Sequence, residues 1–184
     1  MTDTQQTKIQ VRNLSKVFGD DTKKALKLRD EGLNRAQILE KTGQTLGLSN
    51  INFDVREGEL LVIMGLSGSG KSTLIRCLNR LIEPTEGDII IGGENIPRLS
   101  DKALLHCRRR HFSMVFQNFA LFPHRTVQMN AEYGLEIRGI DKAERAEKAR
   151  NSLKQVGLEG WENAYPNQLS GGMQQRVVLA RALA

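Results

Sequence analysis

Leu60–Thr73 reads LLVIMGLSGSGKST, five apolar residues running straight into a glycine-rich turn and then a lysine followed by two hydroxyl residues. A continuous apolar run of this length, bounded by glycine, predicts a parallel strand buried on both faces. After the turn, Leu74, Ile75, Leu78, Leu81 and Ile82 recur at helical spacing until Pro84, which predicts a helix over that stretch. Within Gly65–Thr73 the residues fit G-x-x-x-x-G-K-[ST] in the strand, loop, helix context that the motif requires. Gly65, Gly68 and Gly70 let the backbone turn tightly, so that successive N–H groups, with Ser67 and Ser69 among them, face a phosphate. The helix N-terminus adds positive potential, Lys71 bridges the outer phosphates, and Ser72, with Thr73 beside it, offers a hydroxyl to Mg²⁺.

Upstream, KIQVRNLSKVF alternates apolar and polar residues as a half-buried strand does. Residues 19–48 break that pattern with dense charge and a loose helical stripe, Leu26, Leu33, Ile38 and Leu39, so they read as a helical insertion. Downstream, Ile89–Ile91 precede Gly92-Gly93 and predict a hairpin in a small antiparallel sheet. Phe112–Phe116 reads as a second buried strand ending at Gln117, entered through the basic run Arg108-Arg109-Arg110-His111. Asp141 with Glu144 three residues on predicts a capped helix running to Gly157.

The 184 residues, 39% hydrophobic and 26% charged, match an ordinary globular domain and exclude disordered and fibrous classes. No apolar stretch approaches the roughly 20 residues of a membrane helix, and the polar start lacks a signal-peptide core, so a cytoplasmic location is expected. Cys77 and Cys107 have no metal-ligand spacing and are read as reduced thiols. His106, His111 and His124 likewise form no ligand set. The net charge of +6 rests on scattered base with one short cluster, which is too few phosphate contacts for a nucleic-acid partner. Trp161 and Tyr165 are expected to pack within a helical lobe.

A phosphate loop alone leaves kinases, GTPases and helicases open. Leu169–Arg176, LSGGMQQR, supplies a second glycine-rich turn entering a second helix, with another set of backbone donors and a serine hydroxyl. One nucleotide hardly needs two helix N-termini from distant parts of one chain, whereas two copies facing each other would use both.

With these two motifs the sequence resembles the ATP-binding subunits of ABC transporters, LSGGMQQR being similar to the family signature and GLSGSGKST to its phosphate loop. The resemblance covers nearly the whole chain. It implies that Ser170, Gly171, Gly172 and Gln174 contact, in trans, the nucleotide of a second copy in a head-to-tail dimer. It also implies that Gln117 in VFQNFALFPH is the glutamine that senses metal and γ-phosphate and abuts the membrane subunit, and that Phe18 stacks on adenine where the family more often has tyrosine. ATP and Mg²⁺ are the implied cofactors, with Lys71 and Gln117 catalytic and Ser72 and Gln117 at the metal. The insertion ending RAQILEKTG, the phrase VIMGLSGSGKSTLIRCLNRLIEPTEG and the sequence YPNQLSGGMQQRV look like the glycine betaine/proline importer subfamily.

The expected fold is therefore α/β. A P-loop NTPase core with a parallel sheet and an antiparallel β lobe occupies residues 1–117, with the insertion at 19–48. A helical subdomain spans 118–169, and a signature helix 170–184. That helix reaches Ala184 with no glycine, proline or polar cap, so the fold is expected to be incomplete at its C-terminus. The implied function is energy coupling in import of a quaternary amine or proline-like solute. The implied partners are membrane permease subunits, a second ATP-binding subunit and, indirectly, a solute-binding protein, with the chain peripheral on the cytoplasmic face of the membrane. The family also carries an Asp-Glu strand and a switch histidine after the signature helix. This sequence has neither, so the chain alone is expected to be inactive. The rival readings are an ATP-binding protein unable to hydrolyse and a non-transport ABC protein.

Overall fold

The computed structural model describes residues 6–116 and 119–184. They divide into two compact units, with the boundary in sequence between His111 and Phe112. The first unit is built on an antiparallel sheet of β1 (Thr7–Phe18), β2 (Thr45–Arg56), β3 (Glu86–Ile91) and β4 (Glu94–Asn95), in the order β2-β1-β3-β4. β1 is central, with β2 paired along one edge and β3 along the other, and it buries Val11, Leu14 and Val17. Its register shifts around Asn13, which sits at φ +50° and donates its N–H to Asn52 Oδ1 at 2.8 Å. Asparagine tolerates that left-handed conformation well enough to hold a bulge.

The expected insertion is two helices, α1 (Thr22–Asp30) and α2 (Arg35–Thr42), inside the connection between β1 and β2. Asp21 caps α1 and Asn34 caps α2, and Gly43 ends α2 in a left-handed conformation. Ala25 and Ile38 are fully buried against Val17 and Leu46 of the sheet. Arg29 donates to buried Ser15 Oγ at 2.8 Å and pairs with Glu86 and Asp30. The insertion is thus a docked layer of the sheet.

α3 (Lys71–Leu78) follows the phosphate loop but stops short of Pro84. Asn79 accepts Leu81 N–H on its side-chain oxygen at 3.1 Å and Arg80 turns left-handed at φ +55°, so local side-chain bonding ends the helix before proline can. α4 (Asp101–His111) corrects a second expectation. Arg108–His111 form its last turn, where basic side chains suit the dipole, and do not lead into a strand. Arg108 donates to Asn79 O and Arg80 O at 2.9 and 2.8 Å.

The two predicted buried strands are not formed. Leu60–Met64 has no ladder partner, and Leu60 and Met64 are 88% and 85% exposed; Phe112–Phe116 is also unpaired. An apolar run becomes a strand only where neighbours offer backbone donors and acceptors on both edges, and no described segment does so here.

The second unit packs α5 (Val127–Ile137), α6 (Lys142–Gln155) and α7 (Gly171–Leu183) around Val127, Ala131, Ala149, Leu153, Leu158, Val177 and Ala180. Asp141 caps α6, as its spacing to Glu144 predicts, and accepts Ala143 N–H at 2.8 Å. Val115, Phe116 and Phe119 line an apolar groove of about 240 Å³ with Gln175, Val178 and Leu179 of α7. Trp161 and Tyr165 are each more than two fifths exposed, so neither is the packing residue expected of it. Among the described residues no helix is long and apolar enough to cross a membrane.

Candidate nucleotide site

Ser69 N–H bonds Leu66 O at 3.2 Å, closing the turn of the phosphate loop, and Leu74 N–H bonds Gly70 O at 2.8 Å, opening α3. Gly70 is the N-cap at φ +100°, and a β-carbon there would lie 2.7 Å from Gly47 O, so glycine is required for both its conformation and its space. Lys71 folds back over the loop, its Nζ 2.8 Å from Gly65 O, 2.7 Å from Leu66 O and 3.5 Å from Ser69 Oγ. The ammonium thus sits at the mouth of the turn, donating to two backbone carbonyls of the loop. Ser67 and Gly68 are exposed at the crest, and exposed Ser72 and half-buried Thr73 occupy the first turn of α3.

Phe18, 40% exposed at the end of β1, stands opposite Thr45, with Lys16 Nζ 5.1 Å from its ring centroid. Its ring leans on Gly47, where a β-carbon would lie 2.8 Å from Phe18 Cε2. Gly47 therefore touches both Phe18 and Gly70, bringing the aromatic and the phosphate loop to one place. Sequence reasoning missed Gly47; its signal is a glycine inside the strand pattern TLGLSNINF, the mark of a close approach by something else.

In the second unit, Ser170 caps α7 by accepting Met173 N–H at 3.3 Å. Gly171 and Gly172 form the open first turn, where a β-carbon on either would meet nothing within 4 Å. Gln174 turns its amide inward, donating to Pro166 O at 3.0 Å and Leu169 O at 3.3 Å. Arg176 donates to Val156 O and Gly157 O, closing the end of α6. Gln117 lies outside the described residues.

Burial pushes the Cys77 thiol up to about 11 and raises Cys107 as well, so both are protonated packing groups and poor nucleophiles at neutral pH. Among the described residues no group of three or more histidine, cysteine or acidic side chains is placed to hold a metal. A magnesium ion here would depend on hydroxyl and phosphate oxygens, a donor set that suits it.

A phosphate loop opening a helix, an aromatic ring at its edge and a second serine–glycine helix start define an ATP-binding cassette. The comparisons agree: the ABC transporter family matches residues 48–184, and the chain belongs to that family. It is 59% identical to a glycine betaine transport ATP-binding protein of Bacillus subtilis (strain 168) over 98% of this chain and 43% of that protein. It is 54% identical to a glycine betaine/proline betaine transport system ATP-binding protein of Escherichia coli (strain K12) over 96% of this chain and 44% of that one. It thus spans less than half the length of these relatives. A solved dimeric ATP-binding cassette in a post-hydrolysis state, bound to ADP and Pi, superposes with a TM-score of 0.76 at 35% identity, over 96% of this chain and 69% of that one. The fold is that of the ABC ATPase cassettes.

Proposed function

We propose that this chain is the ATP-binding, energy-coupling part of an importer for glycine betaine and proline-type compatible solutes. The observation that carries the reading is identity of 54–59%, over nearly the whole chain, to proteins named for glycine betaine transport. Adenine stacks on Phe18, and the backbone donors of Gly65–Gly70 with Lys71 hold the β- and γ-phosphates. Ser72 and Gln117 would hold Mg²⁺, which would supply charge neutralisation for the phosphates. The chemistry is phosphoryl transfer to water, in which positioning outweighs covalent steps. Ser170, Gly171, Gly172 and Gln174 close on the nucleotide of a second copy, and the segment around Gln117 abuts the permease, keeping the chain peripheral to the cytoplasmic face.

The test is uptake of radiolabelled glycine betaine into vesicles carrying the native transporter assembled around this cassette, with and without Lys71→Ala. Uptake competed by proline betaine and lost in the variant is expected. Uptake of methionine instead, the solute named for relatives 47–51% identical, would reassign the solute.

A further inference from the structure

Arg35 opens α2 of the insertion, is exposed, and has no carboxylate partner among the described residues. Among the described residues its side chain makes one hydrogen bond, from Nη2 to Gly47 O at 3.2 Å. Gly47 is the residue that touches both Phe18 and Gly70, and that same carbonyl is the atom a β-carbon at Gly70 would strike. The insertion leaves β1 directly after Phe18 and rejoins at Thr45, opposite Phe18 in the ladder, and α2 is docked on the sheet through buried Ile38, which packs with Val17 and Leu46.

A nucleotide with its base on Phe18 and its outer phosphates in the loop must pass its ribose and first phosphate across Gly47. A guanidinium tethered there by one N–H keeps its other donors and its full charge for an anion. We propose that Arg35 binds the α-phosphate of the nucleotide, making the insertion a contributor to the ATP site. The inference rests on the nucleotide reading given above. It also explains the glycine at 47: a side chain there would collide with the Phe18 ring, and the path for the nucleotide runs alongside it.

Equilibrium dialysis of the full chain with radiolabelled ATP, ADP and adenosine, at low and moderate salt, tests it. Arg35→Ala is expected to weaken ATP and ADP by about tenfold each, the scale of one charge-assisted contact, while adenosine binding is unchanged. Arg35→Gln separates the roles, since it keeps a donor for Gly47 O and loses the charge. It is expected to fail like Arg35→Ala, and Arg35→Lys to recover part of the affinity with a steeper salt dependence. An Arg35→Gln protein that bound ATP like the wild type would show that the residue only steadies Gly47 and would overturn the proposal. So would equal losses for ATP and adenosine. If Lys71→Ala abolished ATP binding while Arg35→Ala did not alter it, the proposal alone would fall. A wild-type chain that bound neither ATP nor adenosine would remove the nucleotide reading and the proposal together.

Discussion

At the scale of single residues, the phosphate loop separates glycines that the fold demands from glycines that it leaves free. Gly70 combines φ +100° with a β-carbon position 2.7 Å from Gly47 O, so Gly70→Ala must shift either the loop or β2. Strain of this kind costs about 1–3 kcal/mol, and in the proposed nucleotide site it falls on the backbone that would face the phosphates. Gly70→Ala is therefore expected to lower the unfolding free energy by about 2 kcal/mol and ATP affinity at least tenfold, measured by urea titration and equilibrium dialysis. A protein with normal affinity would mean that the loop does not need this conformation. Cys77, fully buried on α3, gives a pH dependence with a definite sign. Its folded thiol is raised from 9.0 to about 11 by burial, so the unfolded chain loses its proton first as pH rises. Stability is fully present below pH 9 and declines between pH 9 and about 11. Denaturant midpoints across that range should fall more steeply for the wild type than for Cys77→Ala; parallel profiles would refute the assignment.

Elements follow the same division between local and distant causes. β1, the hairpin of β3 with β4, α6 behind Asp141 and α7 behind Ser170 were all legible, because alternation, turn glycines and cap residues act within a few positions. β2 was not legible: Gly47 and Asn50 interrupt its alternation, and its pairing with β1 is set across the insertion, where even the nearest partners, Phe18 and Thr45, lie far apart in sequence. The strand assignments at Leu60–Met64 and Phe112–Phe116 failed for the complementary reason. Apolar runs declare a need for burial, and only a partner strand can meet it. The Phe18–Gly47–Gly70 contact is likewise a product of register, so motif reading found its two ends and missed the middle.

One element also rests on a single side chain that no periodicity announces. Asn130, fully buried on α5, accepts Phe122 N–H at 2.8 Å and donates to Phe122 O, Arg125 O and Thr126 O at 3.0–3.1 Å, tying the preceding loop to the helix. Asn130→Ala strands several buried polar groups and should destabilise the second unit by about 3 kcal/mol in denaturant unfolding. Asn130→Asp should do no better, because a carboxylate cannot donate to three carbonyls. A near-native Asp variant would show that the loop is held by other contacts.

For the whole molecule, the proposed in-trans use of the signature turn makes a claim about assembly that folding effects cannot imitate. A β-carbon at Gly171 would meet nothing within 4 Å, and an acidic residue in the first turn of a helix is favourable to its dipole. Gly171→Asp should therefore fold at least as stably as the wild type. It should also bind ATP normally through its own phosphate loop, which lies in the other unit. In a head-to-tail dimer the same carboxylate would face the γ-phosphate of the second copy, where two like charges about 4 Å apart repel by about 4 kcal/mol at an intermediate dielectric. Each dimer contains that contact twice. Sedimentation with MgATP, in the full-length cassette, is expected to show ATP-dependent dimers for the wild type and monomers for Gly171→Asp, at unchanged ATP affinity and thermal midpoint. Loss of ATP binding by the monomeric variant would place the signature turn on its own nucleotide, and normal dimerisation would place it on none.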